Sequence, residues 1–86
     1  MKPDSSDWII EVFSDETEWL IDRIQVDGLL AREVREMLNL PEQEDIRHGA
    51  YPLEGEALRR VAMRAGYRPV AGASFFLAYE GDGTLI

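Results

Sequence analysis

The chain has no cysteine and a single histidine, His48. Without cysteine there can be no disulfide framework and no thiolate metal site. With one histidine, a metal site would have to be built from carboxylates and carbonyls. His48 follows Arg47 in a polar stretch and has no partner to make it a general base, so it reads as an exposed loop residue. Long apolar runs are also missing. None approaches the roughly 18 residues that a membrane-spanning helix needs. The first residues, Met1 to Asp7, are polar and lack the apolar segment of a secretory leader, so no signal peptide is expected and the expected location is the cytoplasm.

The motifs of chemistry are absent as well. Glu42, Glu44 and Asp45 lie close together, as do Glu80 and Asp82, but neither group has the alternation of a calcium-binding loop. Ser74 is not set in a Gly-x-Ser-x-Gly elbow. Gly81 and Gly83 precede no helix whose N-terminus could hold a phosphate. Carboxylate pairs such as Glu16 and Glu18, or Glu54 and Glu56, need a cleft that raises one pKa, and a chain of 86 residues has little core to form one. The sequence therefore predicts no catalytic, cofactor-binding or metal-binding residue, no cofactor and no enzyme.

Charge is abundant and unevenly placed. Residues 1–56 carry fifteen acidic side chains against five basic ones, whereas residues 57–86 carry four arginines against Glu80 and Asp82. The net charge is −8. From Asp4 to Glu18 there are six acids and no base. Such a field speeds encounter with cationic surfaces and repels nucleic acid and anionic lipid. Arg59, Arg60, Arg64 and Arg68 form a basic stripe, which reads as a solvated helix face balancing the acidic half. Neither nucleic acid nor membrane is expected as a partner.

The hydrophobic fraction, 45%, is that of a globular domain. One domain over residues 1–86 is expected, with 1–6 as a flexible tail. Residues 7–13 are β-branched and aromatic and predict a strand with Trp8, Ile10 and Val12 on one face and Ile9, Glu11 and Phe13 on the other. Ser14-Asp15-Glu16 predicts a turn, and 17–26 a second strand. There Trp19 and Ile21 point one way, and Leu20, Ile24 and Val26 the other. Asp27 is a candidate N-cap and Gly28 a turn. Residues 29–38 predict an amphipathic helix with its stripe at Leu30, Val34, Met37 and Leu38, ended by Asn39-Leu40-Pro41. Residues 41–52 read as a polar loop. A second helix over 55–65 buries Leu58, Val61, Ala62 and Ala65 and stops at Gly66. A last strand spans 74–80, followed by a turn at Gly81-Asp82-Gly83 and a short tail. The fold class is α+β. Its elements run β-β-α-α-β, giving a three-stranded antiparallel sheet of undetermined strand order with two helices on one face. Trp8, Trp19, Phe75, Phe76 and Tyr79 default to the core, with one or two as interface anchors.

Several segments resemble one family. A strand of the type Trp-Ile-Ile-Glu-Val-Phe, a turn containing Asp-Glu-Thr-Glu, and Tyr51-Pro52-Leu53 leading into a helix with Glu56 are similar to small acidic immunity proteins. These are encoded beside bacterial polymorphic toxins, including those of contact-dependent growth inhibition. The resemblance spans most of residues 8–65. It implies a cytoplasmic, monomeric antitoxin that forms a 1:1 complex with a cognate basic toxin domain, a nuclease and foremost a ribonuclease. On this reading the hairpin acids Glu11, Asp15, Glu16, Glu18 and Asp22 are the first candidates for partner contact, and Glu42, Glu44 and Asp45 the second. The alternative is a small self-associating interaction module that meets its own copy through a sheet edge or a bare sheet face.

Overall fold

The structure, a computed structural model, describes residues 8–26, 28–46 and 49–80. The order of elements is β1 (Trp8–Ser14), β2 (Leu20–Val26), α1 (Ala31–Leu38), β3 (Ala50–Leu53), α2 (Gly55–Ala65) and β4 (Ala73–Tyr79). The fold is α+β, with a four-stranded sheet in the order β2-β1-β4-β3, every neighbouring pair antiparallel.

The expected three-strand sheet is corrected to four. The additional strand, β3, lies in what reads as the end of a polar loop. It has four residues, and its third is Pro52, which cannot donate to a ladder. An edge position tolerates this, because an edge strand bonds on one side only. Tyr51 and Leu53 stand opposite Leu77 and Phe75 of β4. The last strand therefore pairs with β1 and with β3, which settles the strand order.

The register sorts the side chains into two faces. Trp8, Ile10 and Val12 share a face with Ile24 and Val26 of β2, Phe75 and Leu77 of β4, and Leu53 of β3. Both helices pack on this face. Val34 of α1, Val61 of α2, and Leu29 and Ile46 from the connections join the same buried cluster. α1 starts later than the expected 29–38, at Ala31, and its cap is Leu30 rather than Asp27, which lies outside the described residues. Leu29 and Leu30 also exchange their expected roles, since Leu29 is buried and Leu30 exposed. Asn39 closes α1 in the left-handed conformation (φ 58°) and Gly66 closes α2 (φ 68°). Gly66 permits this without Cβ strain, and asparagine tolerates it better than most residues.

In β2 the expected start at 17 moves to Leu20, because the hairpin turn is longer than Ser14-Asp15-Glu16. A bulge between Val12 and Phe13 puts Leu20 opposite Phe13 and leaves Ile21 unmatched. Leu20 therefore lies on the opposite face from Ile24 and Val26, and the expected grouping of the three is corrected. One extra residue reverses the alternation beyond it. The expected tail at 1–6, His48 and the turn and tail at 81–86 lie outside the described residues.

The two helices are clipped together by charge. Arg64 of α2 donates to the Glu33 carboxylate of α1 at 2.9 Å and to the Gly28 carbonyl at 2.8 Å. Glu33 also accepts the Leu30 N–H at 3.0 Å, which satisfies one free donor of the helix start. The Arg64 hydrogen bond first, and the Leu30 N–H second, hold the Glu33 carboxyl below its usual pKa of 4.5. A lowered folded-state pKa stabilises the fold above the ordinary carboxylate range, and this is lost as pH falls through the folded value. Both side chains are more than a third exposed, so after solvent screening the pair contributes at most about 0.5 kcal/mol. Glu33→Gln should therefore lower stability slightly at pH 7, and the difference from wild type should fade as pH falls from 4.5 through the lowered folded-state value, as read by urea titration across pH. The apolar core dominates by comparison. Ile10→Ala should cost about 2–5 kcal/mol, whereas Ile21→Ala, at a position 56% exposed, should cost almost nothing. Denaturant midpoints of the two variants give the comparison.

Candidate functional site

Two helices cover one face of the sheet. On the other face lie Ile9, Glu11 and Phe13 of β1, Gln25, Arg23 and Leu20 of β2, Ala78, Phe76 and Ser74 of β4, and Ala50 and Pro52 of β3. No described helix packs there. Toward the hairpin end this face holds a shallow depression of about 440 Å³. Phe13 and Phe76 form its apolar floor, edge to face with centroids 5.6 Å apart. Glu11, Asp15 and Glu18 bring three carboxylates to its lining.

The hairpin turn is built to present those acids. Ser14 Oγ accepts the N–H groups of Glu16 and Thr17, each at 3.2 Å. The Glu18 N–H donates to the Ser14 carbonyl at 2.7 Å, and the Ser14 N–H donates to the Trp19 carbonyl at 2.9 Å. Asp15 is held to the start of β4 twice. Its N–H donates to the Gly72 carbonyl at 3.0 Å, and its carboxylate accepts the Ser74 hydroxyl. Glu18 takes the left-handed conformation, φ 65°. For a residue with a Cβ this costs roughly 1–2 kcal/mol. Glu11 is half-buried in the middle of the open face, between Arg23 of β2 and Phe76 of β4.

Glu11, Asp15 and Glu18 thus come together. Glu16 is exposed in the same turn but does not line the depression. Asp22 does not join them. It stands opposite Val12, on the helix side of the sheet, near Tyr67, whose hydroxyl pKa is raised by burial first and by Asp22 second. The second group is dispersed by structural duties. The Glu44 carbonyl accepts Arg35 of α1 at 2.9 Å, and its carboxylate accepts the Tyr51 hydroxyl at 3.1 Å. Burial, and then this acceptor, raise the Tyr51 pKa. Glu44 therefore fastens the loop to α1 and β3. Glu42 and Asp45 are exposed in the same loop.

None of the five hairpin acids forms a salt bridge among the described residues, whereas three of the arginines do. Arg23 meets Glu80, Arg59 meets Glu56, and Arg64 meets Glu33. The last two lie on α2, across the sheet from the open face.

The chain belongs to DUF7683, described as a domain of unknown function. The family's model matches residues 7–75, a span that takes in the hairpin, both helices and β3. No curated protein and no solved structure matches the chain. The chain also contains features that are not legible in the sequence alone. Composition alone places Phe76 in the core, but the register turns it to the open face with Phe13. It places Trp19 in the core too, and Trp19 is 75% exposed. Its neighbours carried a signal, since it follows directly on four turn-forming or acidic residues. Among the described residues no cluster of three or more His, Asp and Glu side chains is arranged to hold a metal ion, and no helix is long and apolar enough to cross a membrane.

Asparagine adopts the left-handed conformation more readily than glutamate. Glu18→Asn should raise stability by about 0.5 kcal/mol, measured by urea denaturation. An unchanged or lowered midpoint would show that Glu18 is not strained there.

Proposed function

We propose that this domain is a protein-binding module that captures a cationic protein surface with the acid-lined open face of its sheet. The observation that carries the reading is the convergence of Glu11, Asp15 and Glu18, free of salt bridges among the described residues, around the Phe13–Phe76 floor. Lysine and arginine side chains suit this site doubly: their aliphatic stems lie on aromatic rings while their charged ends meet carboxylates. The strained Glu18 adds support, because backbone strain concentrates at functional sites. Net charge −8 supplies steering toward a basic partner.

The biological form of that capture is immunity. The domain binds the basic toxin domain of a cognate effector, a ribonuclease foremost, and neutralises it as a 1:1 complex in the cytoplasm. This step rests on the resemblance of the hairpin and of the Tyr51-Pro52-Leu53 segment to immunity proteins. The domain itself carries out no catalysis on this reading, and its hairpin acids act as a surrogate for the polyanion that such a toxin binds.

The experiment begins with the product of the adjacent gene. It should be toxic when expressed alone, harmless when co-expressed with this chain, and should form a 1:1 complex with it. Reversing Glu11, Asp15 and Glu18 together to lysine should slow association about tenfold or more at low salt and flatten its salt dependence. Reversing Glu36, Glu54 and Glu56 instead makes the same change in net charge away from the open face, and should slow association far less. Equal effects of the two triple variants would reduce the site to bulk charge. An adjacent product that neither binds nor harms the cell would overturn the immunity reading.

A further inference from the structure

The open face accounts for the hairpin's acids but not for its apolar residues. Trp19, Leu20 and Ile21 are consecutive and exposed, at 75%, 45% and 56%. Exposed apolar residues scattered singly are ordinary, but a run of three is not. The fold does not use this indole, because Trp8 supplies the buried one, at 1% exposure and edge to face with Tyr79 at 5.1 Å. Resting on the reading of a cationic partner, we propose that Trp19-Leu20-Ile21 is the apolar anchor of the interface. It enters an apolar pocket of the partner that is ringed by lysine or arginine.

The ridge is held in shape before any partner arrives. The Trp19 carbonyl accepts the Ser14 N–H at 2.9 Å, and its N–H donates to Thr17 Oγ1 at 3.3 Å. The β-bulge leaves Ile21 without a counterpart on β1. An anchor already ordered loses less entropy on binding, and tryptophan is among the residues most enriched at binding hot spots. Leu20, opposite Phe13, joins the ridge to the open face. Asp22, excluded from the depression by the register, flanks the ridge on one side, and Glu16 and Glu18 flank it on the other.

Those flanking acids decide the occupant. A second copy would press the same acids together between two chains of charge −8. A pocket rimmed by ammonium or guanidinium groups instead meets Glu16, Glu18 and Asp22 while burying the indole. The ridge also opens β2, the long edge of the sheet. The opposite edge, β3, is shielded in the usual way by its brevity and its proline.

Two synthetic peptides of equal charge serve as probes: a capped heptapeptide alternating lysine and leucine, and its counterpart alternating lysine and glycine. Trp19 is the reporter, because Trp8 is buried and its emission is already that of an apolar site. The lysine–leucine peptide should shift emission to the blue and bind roughly tenfold more tightly than the lysine–glycine peptide. Trp19→Ala and Ile21→Lys should abolish that preference while leaving the near-ultraviolet dichroism of Trp8 intact, which checks the fold. Equal binding of the two peptides with unshifted emission overturns the anchor and leaves capture by charge standing. Binding of neither peptide also overturns the anchor, and the triple reversal on the open face then decides capture separately. A concentration-dependent homodimer dispersed by Ile21→Lys overturns the proposal in favour of a second copy.

Discussion

Strand β1 is the constraint on which the rest of the molecule depends. It carries apolar residues on both faces, Trp8, Ile10 and Val12 on one and Ile9 and Phe13 on the other. It pairs along its whole length with β4 on one side and, from Trp8 to Phe13, with β2 on the other. A strand of that composition is suited to burial on two sides. The chain is short, and its two helices both go to the Trp8 face, where they complete a single buried cluster. No described helix covers the Phe13 face, where Glu11 and Phe13 are half-buried and Ile9 is buried. A chain of this size buries a smaller share of its surface than a larger domain, so a half-covered central strand follows from length as well as from topology.

The electrostatic layout follows from the same division. The arginines of α2 lie in the helix layer, where Glu33 and Glu56 engage two of them. Among the described residues, no acid of the hairpin is paired with those arginines. Only Arg23 shares the hairpin with them, and it is engaged by Glu80. Polarity is thus a product of the fold and not of composition alone: the same charges interleaved on the helices would have cancelled locally. The ties from Ser14 and Ser74 add a second element. They fix Asp15 and the turn relative to β4, so the carboxylates keep their spacing when no partner is present.

Much of this was legible in the sequence where the physics is local. Helix α2 was readable to its ends, because Glu54 and Glu56 suit the positive end of a helix and Gly66 suits the left-handed exit. The two faces of β1 followed from simple alternation. What escaped is non-local. Strand β3 is four residues with a proline and exists only because β4 is there to pair with it. The bulge that sends Leu20 to the open face has no signature in the run Trp-Leu-Ile-Asp, since its position depends on how the turn closes. The candidate acids divided on the same line. Asp15, Glu16 and Glu18 are placed by the turn and were found as a group. Asp22 stands opposite Val12 in regular register, so alternation alone parts it from Glu11, and Glu44 is drawn into structure by Arg35 and Tyr51, partners distant in sequence.

Magnitudes show why carboxylates and apolar residues belong in one interface. Exposed ion pairs contribute roughly 0–1 kcal/mol each, so three or four of them cannot approach the roughly 12 kcal/mol of a nanomolar complex. What they supply is encounter rate and rejection of anionic partners. Apolar burial at about 25 cal/mol per Å² supplies the remainder, and one fully engulfed tryptophan removes on the order of 200 Å² from water. That is about 5 kcal/mol before the costs of association, as much as the upper limit for all the hairpin carboxylates together. Acids alone would make this hairpin soluble, and an apolar ridge alone would make it prone to aggregate. On the proposed reading, the two side by side give a surface that repels its own copies and suits a partner both basic and hollow.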